Sequence, residues 1–348
     1  MKKVRVLVVD DSAFMRKVLT DIISAEVHME VAGTAKNGKE ALQLIKDLKP
    51  DVVTMDIEMP VMDGLSALEV AMKESPVPIV MLSSLTKEGA DATFKALELG
   101  AVDFIAKPSS VFKVSTEDVK KELIEKINMA SRLSIPSRRA VQITKPARQQ
   151  VRYTGNSTLK KIIAIGTSTG GPKALQSVIP SLPKNLDAPV LIVQHMPPGF
   201  TKSLADRLNN LSELTVKEAE NGDILQPGWC YIAPGDRHLR VTKEGNQYRI
   251  VLGNDSPVTG HKPSCDAMFD SLAQLNLNNI IAVIMTGMGA DGAKGLVNVR
   301  QNRNVVIAQD EESCVVFGMP KSAIKLNAVD KVVPLDAITD EILKAMEV

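Results

Sequence analysis

The feature that most constrains this chain is a rhythm of short apolar runs, each too brief for a helix and several ending in a reactive polar residue. In the first third, runs at 4–9, 29–34, 51–55, 79–82 and 102–105 are rich in Val, Ile and Met. They alternate with segments of helical period at 14–25, 39–48, 65–73, 89–99 and 117–129. Strands apolar on both faces belong to parallel sheets covered by helices, so five such units predict a doubly wound parallel sheet. From Ile162 the alternation resumes, with strand-like runs at 162–165, 190–193, 280–285 and 305–308, while 229–252 resembles a hairpin turning at Gly245-Asn246. The expected fold is α/β: two doubly wound, mostly parallel sheet domains joined by a linker, the second with an antiparallel hairpin insertion. The boundaries are expected at 1–132, 133–158 and 159–348.

A chain of 348 residues exceeds the size at which one core usually keeps growing, which agrees with two domains. The stretch before Ile162 carries Arg138, Arg139, Lys145, Arg148, Arg152, Lys160 and Lys161 beside Pro136 and Pro146, with no acidic residue. It reads as an extended, solvated tether. A formal net charge of +1 argues against a nucleic-acid footprint over the whole protein. Cys230, Cys265 and Cys314 are odd in number and lack metal-ligand spacing, and Met1 leads directly into a strand without a cleavable leader. A reducing cytoplasm is therefore expected. Apolar runs such as 189–193 are too short to span a bilayer, so no membrane insertion is expected.

In open α/β sheets ligands bind outside the carboxyl ends of the strands, which is where Asp10, Asp11, Asp56, Ser83 and Lys107 all fall. Clustered carboxylates favour a hard cation such as Mg²⁺, which can hold phosphoryl oxygens against Asp56 as its carboxylate attacks phosphorus. Lys107 supplies a point charge for the product phosphate and Ser83 a hydroxyl. The edge reads as a phosphate-acceptor site, with the rest of the chain as an output module under its control. These residues, with Asp56-Ile57-Glu58-Met59-Pro60, Asp63-Gly64, Phe104 and Lys107-Pro108, resemble the receiver domain of two-component response regulators. That resemblance implies Asp56 as phosphoacceptor, Asp10 and Asp11 as magnesium-site acids with the Glu58 carbonyl nearby, and Ser83 and Phe104 as a switch pair.

In the second half the strand 162–165 runs into Gly166-Thr167-Ser168-Thr169-Gly170-Gly171-Pro172 before a helix opens. The glycines permit a sharp turn, Pro172 suits a first helical turn, and Ser168 is lifted to a sheet edge beside a helix N-terminus. Such a place stabilises negative charge, which suits either an oxyanion at a nucleophilic serine or a bound phosphate. The remaining strand ends favour the nucleophile. His195 directly follows the run at 190–193 and its Gln194, and Asp291 follows the run at 280–285 in Thr286-Gly287-Met288-Gly289-Ala290-Asp291. A hydroxyl needs a base to take its proton, and an imidazole needs a carboxylate to fix its tautomer, so Ser168, His195 and Asp291 supply three complementary roles. The order serine, histidine, aspartate disfavours the standard α/β-hydrolase, and Gln194-His195 stands where a dinucleotide site would place an acid. Thr169 reads as a supporting hydrogen-bond donor or a turn residue. His238 and His261 sit by turns and read as surface or substrate-contact residues, and the cysteines as small buried hydrophobes.

Taken together, IGTSTGGPKAL, QHMPPGF, APGDRHL, KPSCDAMF and MTGMGADG behind the receiver pattern resemble the chemotaxis response regulator protein-glutamate methylesterase family over essentially the full length. The resemblance implies Ser168 as nucleophile, His195 as general base, Asp291 as its orienting acid, and the Met288 N–H as an oxyanion donor. It implies hydrolysis of glutamyl methyl esters on the cytoplasmic domains of chemoreceptors, deamidation of receptor glutamines, and a chemotaxis sensor histidine kinase as phosphodonor. Mg²⁺ is expected for receiver phosphorylation and no cofactor for ester hydrolysis. The alternative reading is a phosphorylation-controlled binding or scaffold protein without catalysis.

Overall fold

The computed structural model describes residues 2–107, 117–133 and 161–347. The chain divides into two compact units, Met1–Pro146 and Ala147–Val348. From residue 134 onward the expected linker lies outside the described residues.

The first unit alternates β1 (Val4–Val9), α1 (Ala13–Ser24), β2 (Met29–Ala35), α2 (Gly38–Leu48), β3 (Val52–Asp56), α3 (Gly64–Glu74), β4 (Ile79–Ser83), α4 (Lys87–Leu99), β5 (Asp103–Ala106) and α5 (Glu117–Ala130). The strands form one parallel sheet in the order β2-β1-β3-β4-β5. Every residue of β3 and β4 is buried, as runs apolar on both faces require. The helices start where the sequence places cap residues: Ser12, Asn37, Asp63 and Thr86 each accept a hydrogen bond from a first-turn N–H through the side chain. Gly64 opens α3 hard against β3, where an added Cβ would collide with the Asp56 carbonyl oxygen.

The second unit contains a seven-stranded parallel sheet in the order β14-β13-β12-β6-β7-β9-β8. Its strands are β6 (Ile162–Thr167), β7 (Val190–Gln194), β8 (Thr215–Glu218), β9 (Trp229–Ile232), β12 (Ile280–Ile284), β13 (Val305–Gln309) and β14 (Lys331–Val333). The helices are α6 (Gly171–Val178), α7 (Phe200–Leu211), α8 (Cys265–Gln274), α9 (Ala293–Gln301), α10 (Met319–Lys325) and α11 (Ile338–Glu347). The central strands β6, β7 and β12 are buried at every position. An antiparallel hairpin, β10 (His238–Glu244) with β11 (Gln247–Gly253), turns at Gly245-Asn246 as expected. It is tied to α8 by the Val241 N–H donating to Ser271 Oγ at 3.0 Å, and Leu239, Val241 and Ile250 join the core around Phe269 and Leu272. Each such large side chain fully buried contributes about 1.5–3 kcal/mol.

The hairpin is shorter than the sequence suggests. Trp229–Ile232 belongs instead to the main sheet, parallel to β7, with Cys230 opposite Val190. A four-residue apolar run fits a parallel strand and a hairpin arm equally well, and only pairing decides between them. No helix among the described residues is long and apolar enough to cross a membrane.

Candidate functional sites

Three adjacent strands of the second unit, β12, β6 and β7, deliver one polar residue each beyond their carboxyl ends. Ser168 follows β6 directly, His195 follows β7 directly, and Asp291 follows β12 after a short loop. The chain leaves β6 towards β7 and later returns on the other side of β6 as β12. The crevice outside β6 is therefore a switch point, the place where open α/β sheets hold ligands.

The three side chains meet in hydrogen-bonding order. Ser168 Oγ lies 3.2 Å from His195 Nδ1, and His195 Nε2 lies 2.8 Å from Asp291 Oδ2. The ring is turned the opposite way from the serine-protease template, where Nε2 serves the hydroxyl. With Asp291 ionised, Nε2 carries the proton and donates it, which leaves Nδ1 as an acceptor facing Ser168. Burial pushes the Asp291 carboxyl up, but the His195 hydrogen bond and charge, the Ser264 hydroxyl and the Cys265 N–H together hold it well below the usual carboxylate range. Its Oδ1 accepts from Ser264 Oγ at 2.7 Å, Thr259 Oγ1 at 2.8 Å and the Asp266 N–H at 3.1 Å, and its Oδ2 from the Cys265 N–H at 2.6 Å. The neighbouring Asp266 behaves oppositely. Burial raises it to about 6, against the Gly295 N–H that it accepts and with the Asp291 charge beside it.

The turns are held by other polar residues. Gln194 accepts from Thr167 Oγ1 and donates through Nε2 to the carbonyls of Ser168 (3.0 Å) and His195 (3.1 Å). The Ser168 N–H donates to Thr286 O at 3.0 Å, and Thr286 Oγ1 donates to Thr169 O at 2.9 Å while accepting from the Val316 N–H. Thr169 is buried in this turn. Gly287 packs so closely that an added Cβ would lie 2.9 Å from Ser168 Cβ and would also collide with Met319 Sδ. The next residue, Met288, is half-buried, and its N–H donates to no acceptor among the described residues. Since the adjoining Gly287 packs on Ser168, the 288 N–H is a candidate donor for an anion formed there.

His238 departs from expectation: it is fully buried, and its Nε2 donates to Ser256 O at 3.1 Å. His261 is half-buried and stacks on His195, with ring centroids 4.0 Å apart and planes 11° from parallel. Cys265 Sγ lies 3.9 Å from His195 Nε2, but burial, with the Asp291 and Asp266 charges, pushes its thiol far above the range of a reactive cysteine. Cys230 is also buried, whereas Cys314 is only half-buried.

In the first unit the carboxylate oxygens of Asp10, Asp11 and Asp56 lie within 4.8 Å of one another. Lys107 Nζ bridges Asp10 Oδ2 at 2.8 Å and Asp56 Oδ2 at 2.7 Å. Burial lifts the Asp56 carboxyl to about 6 although the Lys107 charge opposes it, and Asp10 adds repulsion. A cavity of about 270 Å³ lined by Asp11, Asp56, Glu58, Ser83 and Lys107 opens here. Its size and oxygen-rich lining suit a hard divalent cation together with a phosphoryl group. Ser83 Oγ donates to Gly89 O at 3.0 Å and accepts from Thr93 Oγ1 at 2.7 Å. Phe104 is buried on β5, with Lys126 Nζ 5.3 Å from its ring centroid and bonded to its carbonyl.

The family model described as CheB methylesterase matches residues 163–342, and that of the response regulator receiver domain matches residues 6–116. The chain belongs to the CheB methylesterase family. A Halalkalibacterium halodurans relative named protein-glutamate methylesterase/protein-glutamine glutaminase is 50% identical over 98% of both chains. A Pyrococcus abyssi relative of the same name is 47% identical over 99% of this chain and 94% of its own length. Among solved structures, the Thermotoga maritima CheB methylesterase catalytic domain matches with a TM-score of 0.52 and 49% identity, covering 54% of this chain and 97% of that one. The family matches span both groups of residues described above.

Several groups around these residues escaped sequence reasoning. Thr259, Ser264 and the Cys265 and Asp266 N–H groups grip Asp291, and Gln194 and Thr286 pin the turns. Ser264 carried a signal as the cap of α8, which its hydroxyl does provide to the Ala267 N–H, but the same hydroxyl also donates to Asp291. Lys126, likewise not singled out from the sequence, lies largely buried, 3.5 Å from Asp103.

Proposed function

We propose that this chain is a phosphorylation-controlled protein-glutamate methylesterase that also deamidates glutamines, acting in the cytoplasm on the cytoplasmic domains of chemoreceptors. Residues 1–132 are the receiver, 133–158 the linker and 159–348 the catalytic domain. The observation that carries the reading is the hydrogen-bonded series Ser168, His195, Asp291 at one sheet edge.

Ser168 Oγ attacks the glutamyl ester carbonyl as its proton passes to His195 Nδ1, and Asp291 stabilises the resulting imidazolium through Nε2. The developing oxyanion takes the Met288 N–H, a donor of the kind whose removal costs about 3 kcal/mol. Nδ1–H then protonates the departing methoxide, and methanol leaves an acyl-serine. Water, deprotonated by Nδ1, attacks that ester, Nδ1–H returns its proton to Ser168 Oγ as the acyl–serine bond breaks, and the freed glutamyl carboxyl group loses its own proton to solvent. A glutamine substrate follows the same steps with ammonia as leaving group.

On the receiver, Asp56 accepts a phosphoryl group from a chemotaxis sensor kinase. Asp10, Asp11, Asp56 and the Glu58 carbonyl would hold a magnesium ion, which when bound supplies charge that draws phosphoryl oxygens towards the carboxylates. Lys107 balances the product charge, while Ser83 and Phe104 relay the change. The modification adds a charge of about −1.5 to −2.

The reading is tested by following methanol release from methylated receptor with the full chain. A small phosphodonor with Mg²⁺ is expected to raise the rate roughly 5- to 150-fold, the range of typical coupling between two sites, and Asp56→Asn to remove that response. Absence of methanol under every condition sinks the proposal in favour of a non-catalytic scaffold. Gly287→Ala gives a further check. Its methyl group must displace Ser168 or Met319, and a misplacement of about 1 Å lowers turnover about 100-fold. Unchanged turnover in that variant would mean that the close approach of the 287 backbone to Ser168 has no bearing on the chemistry.

A further inference from the structure

We propose that His261 is a positioning residue for this reaction, its ring acting as a flat stop that holds the His195 imidazole in line between Ser168 and Asp291. The inference rests on the methylesterase reading above, and it concerns a residue whose sequence setting suggests only surface or substrate contact.

Among the described residues the His195 ring is gripped at its edge, 3.2 Å from Nδ1 to Ser168 Oγ and 2.8 Å from Nε2 to Asp291 Oδ2, with Cys265 Sγ a weak further contact 3.9 Å from Nε2. Edge contacts at opposite nitrogens define an axis and resist sliding along it. They resist tipping of the ring about that axis poorly, and the Ser168 contact is already long for a hydrogen bond, so tipping breaks it first. Something must therefore press on a face. His261 does so, 4.0 Å away and within 11° of parallel, which is van der Waals contact over the ring face.

The stop is itself fixed. His261 closes a two-residue turn in which Val258 and His261 exchange backbone hydrogen bonds of 3.1 and 2.9 Å, while Thr259 (φ 52°) and Gly260 (φ 83°) take the left-handed conformations that such a turn needs. From inside that turn Thr259 Oγ1 donates to Asp291 Oδ1. Lys262 anchors the outgoing chain by pairing with Asp236 at 3.0 Å, and its carbonyl accepts from the Asp236 N–H. Ser264 and Cys265 then return to Asp291 with two more donors. One short segment thus grips the carboxylate from one side and the face of the imidazole from another. Base and orienting acid are kept in register because a single piece of backbone sets both.

The test uses the full chain with Mg²⁺ and phosphodonor at saturation, methylated receptor as substrate, and the wild-type rate as reference, so that failure of the esterase reading appears in the wild type alone. H261A and H261L are expected to lower kcat about 10- to 100-fold with KM within about twofold of wild type, while H261F restores kcat to within about threefold. Phosphonylation of Ser168 by a small fluorophosphonate, which needs the base but no receptor contact, is expected to slow in the same proportion. Leucine keeps the bulk and loses the flat face, so the comparison of H261L with H261F stands even where the alanine variant has lost its fold. A raised KM with kcat retained would make His261 a substrate contact and overturn the proposal. So would failure of phenylalanine to rescue, or wild-type rates in all three variants.

Discussion

Ser168→Ala is expected to abolish methanol release, lowering turnover about a million-fold and leaving only the rate that binding and oxyanion contacts supply without a nucleophile. The substitution isolates chemistry from folding because the backbone of residue 168, not its hydroxyl, builds the turn. Its N–H reaches Thr286 O, and its carbonyl accepts from the Gly171 N–H at 2.8 Å and from Gln194 Nε2. Among the described residues the hydroxyl bonds to His195 Nδ1 alone, at a half-buried position. Losing it costs about 0.5–1.5 kcal/mol of stability, small against the 8 kcal/mol or so that a million-fold rate loss represents. An unfolding midpoint near that of the wild type, combined with a flat methanol trace and no acyl-serine in mass spectra of the trapped enzyme, is the expected pair of results. Retention of most of the turnover would remove Ser168 from the mechanism and point to direct attack by water.

How much of this could be read from the sequence depended on which force placed each residue. Ser168, His195 and Asp291 are legible because a buried parallel strand needs an apolar run, and the polar residue that ends the run lies at the sheet edge by necessity. The His195 and Asp291 ends thus meet although 96 positions separate them. The carboxylates of the receiver follow the same rule. Residues that act through a turn were not legible. Thr259 and His261 sit in a polar loop whose composition suits solvent, and only the pairing of Val258 with His261 aims them inward. His238 reads as a turn residue, yet β10 begins at it and folds it beneath the 254–258 loop, where it is fully buried. The three-residue β14 has two exposed positions and no apolar period to betray it, and β9 could be assigned only by its partner. The orientation of the His195 ring depends on one side-chain torsion and leaves no trace in sequence at all.

That orientation gives the second large effect its form. Asp291→Ala is expected to lower turnover about ten-thousand-fold, in line with the loss of the aspartate from a serine triad. Without the carboxylate, nothing fixes the proton on Nε2 or stabilises the imidazolium, and the Ser264, Cys265 and Asp266 donors lose their acceptor at a cost of about 1–3 kcal/mol for each buried group left unpaired. Asp291→Asn is expected to be the milder change here, although in the serine-protease template asparagine forces the wrong tautomer. The amide nitrogen has two places to go. On the Oδ2 side it meets the Cys265 N–H, 2.6 Å away, and would oblige Nε2 to accept. On the Oδ1 side it meets the Asp266 N–H at the longer distance of 3.1 Å and finds two hydroxyls, Ser264 and Thr259, able to turn and accept. The second placement is favoured, and it leaves a carbonyl oxygen facing Nε2, so the productive tautomer survives and only the charge is lost. Asparagine is therefore expected to retain at least about tenfold more activity than alanine, a difference of about 1.4 kcal/mol in transition-state stabilisation. Rates for the two variants, measured below their unfolding midpoints, decide the matter: equal losses, or a larger loss for asparagine, would mean that the amide takes the Oδ2 side and that the network around Oδ1 does not govern the tautomer.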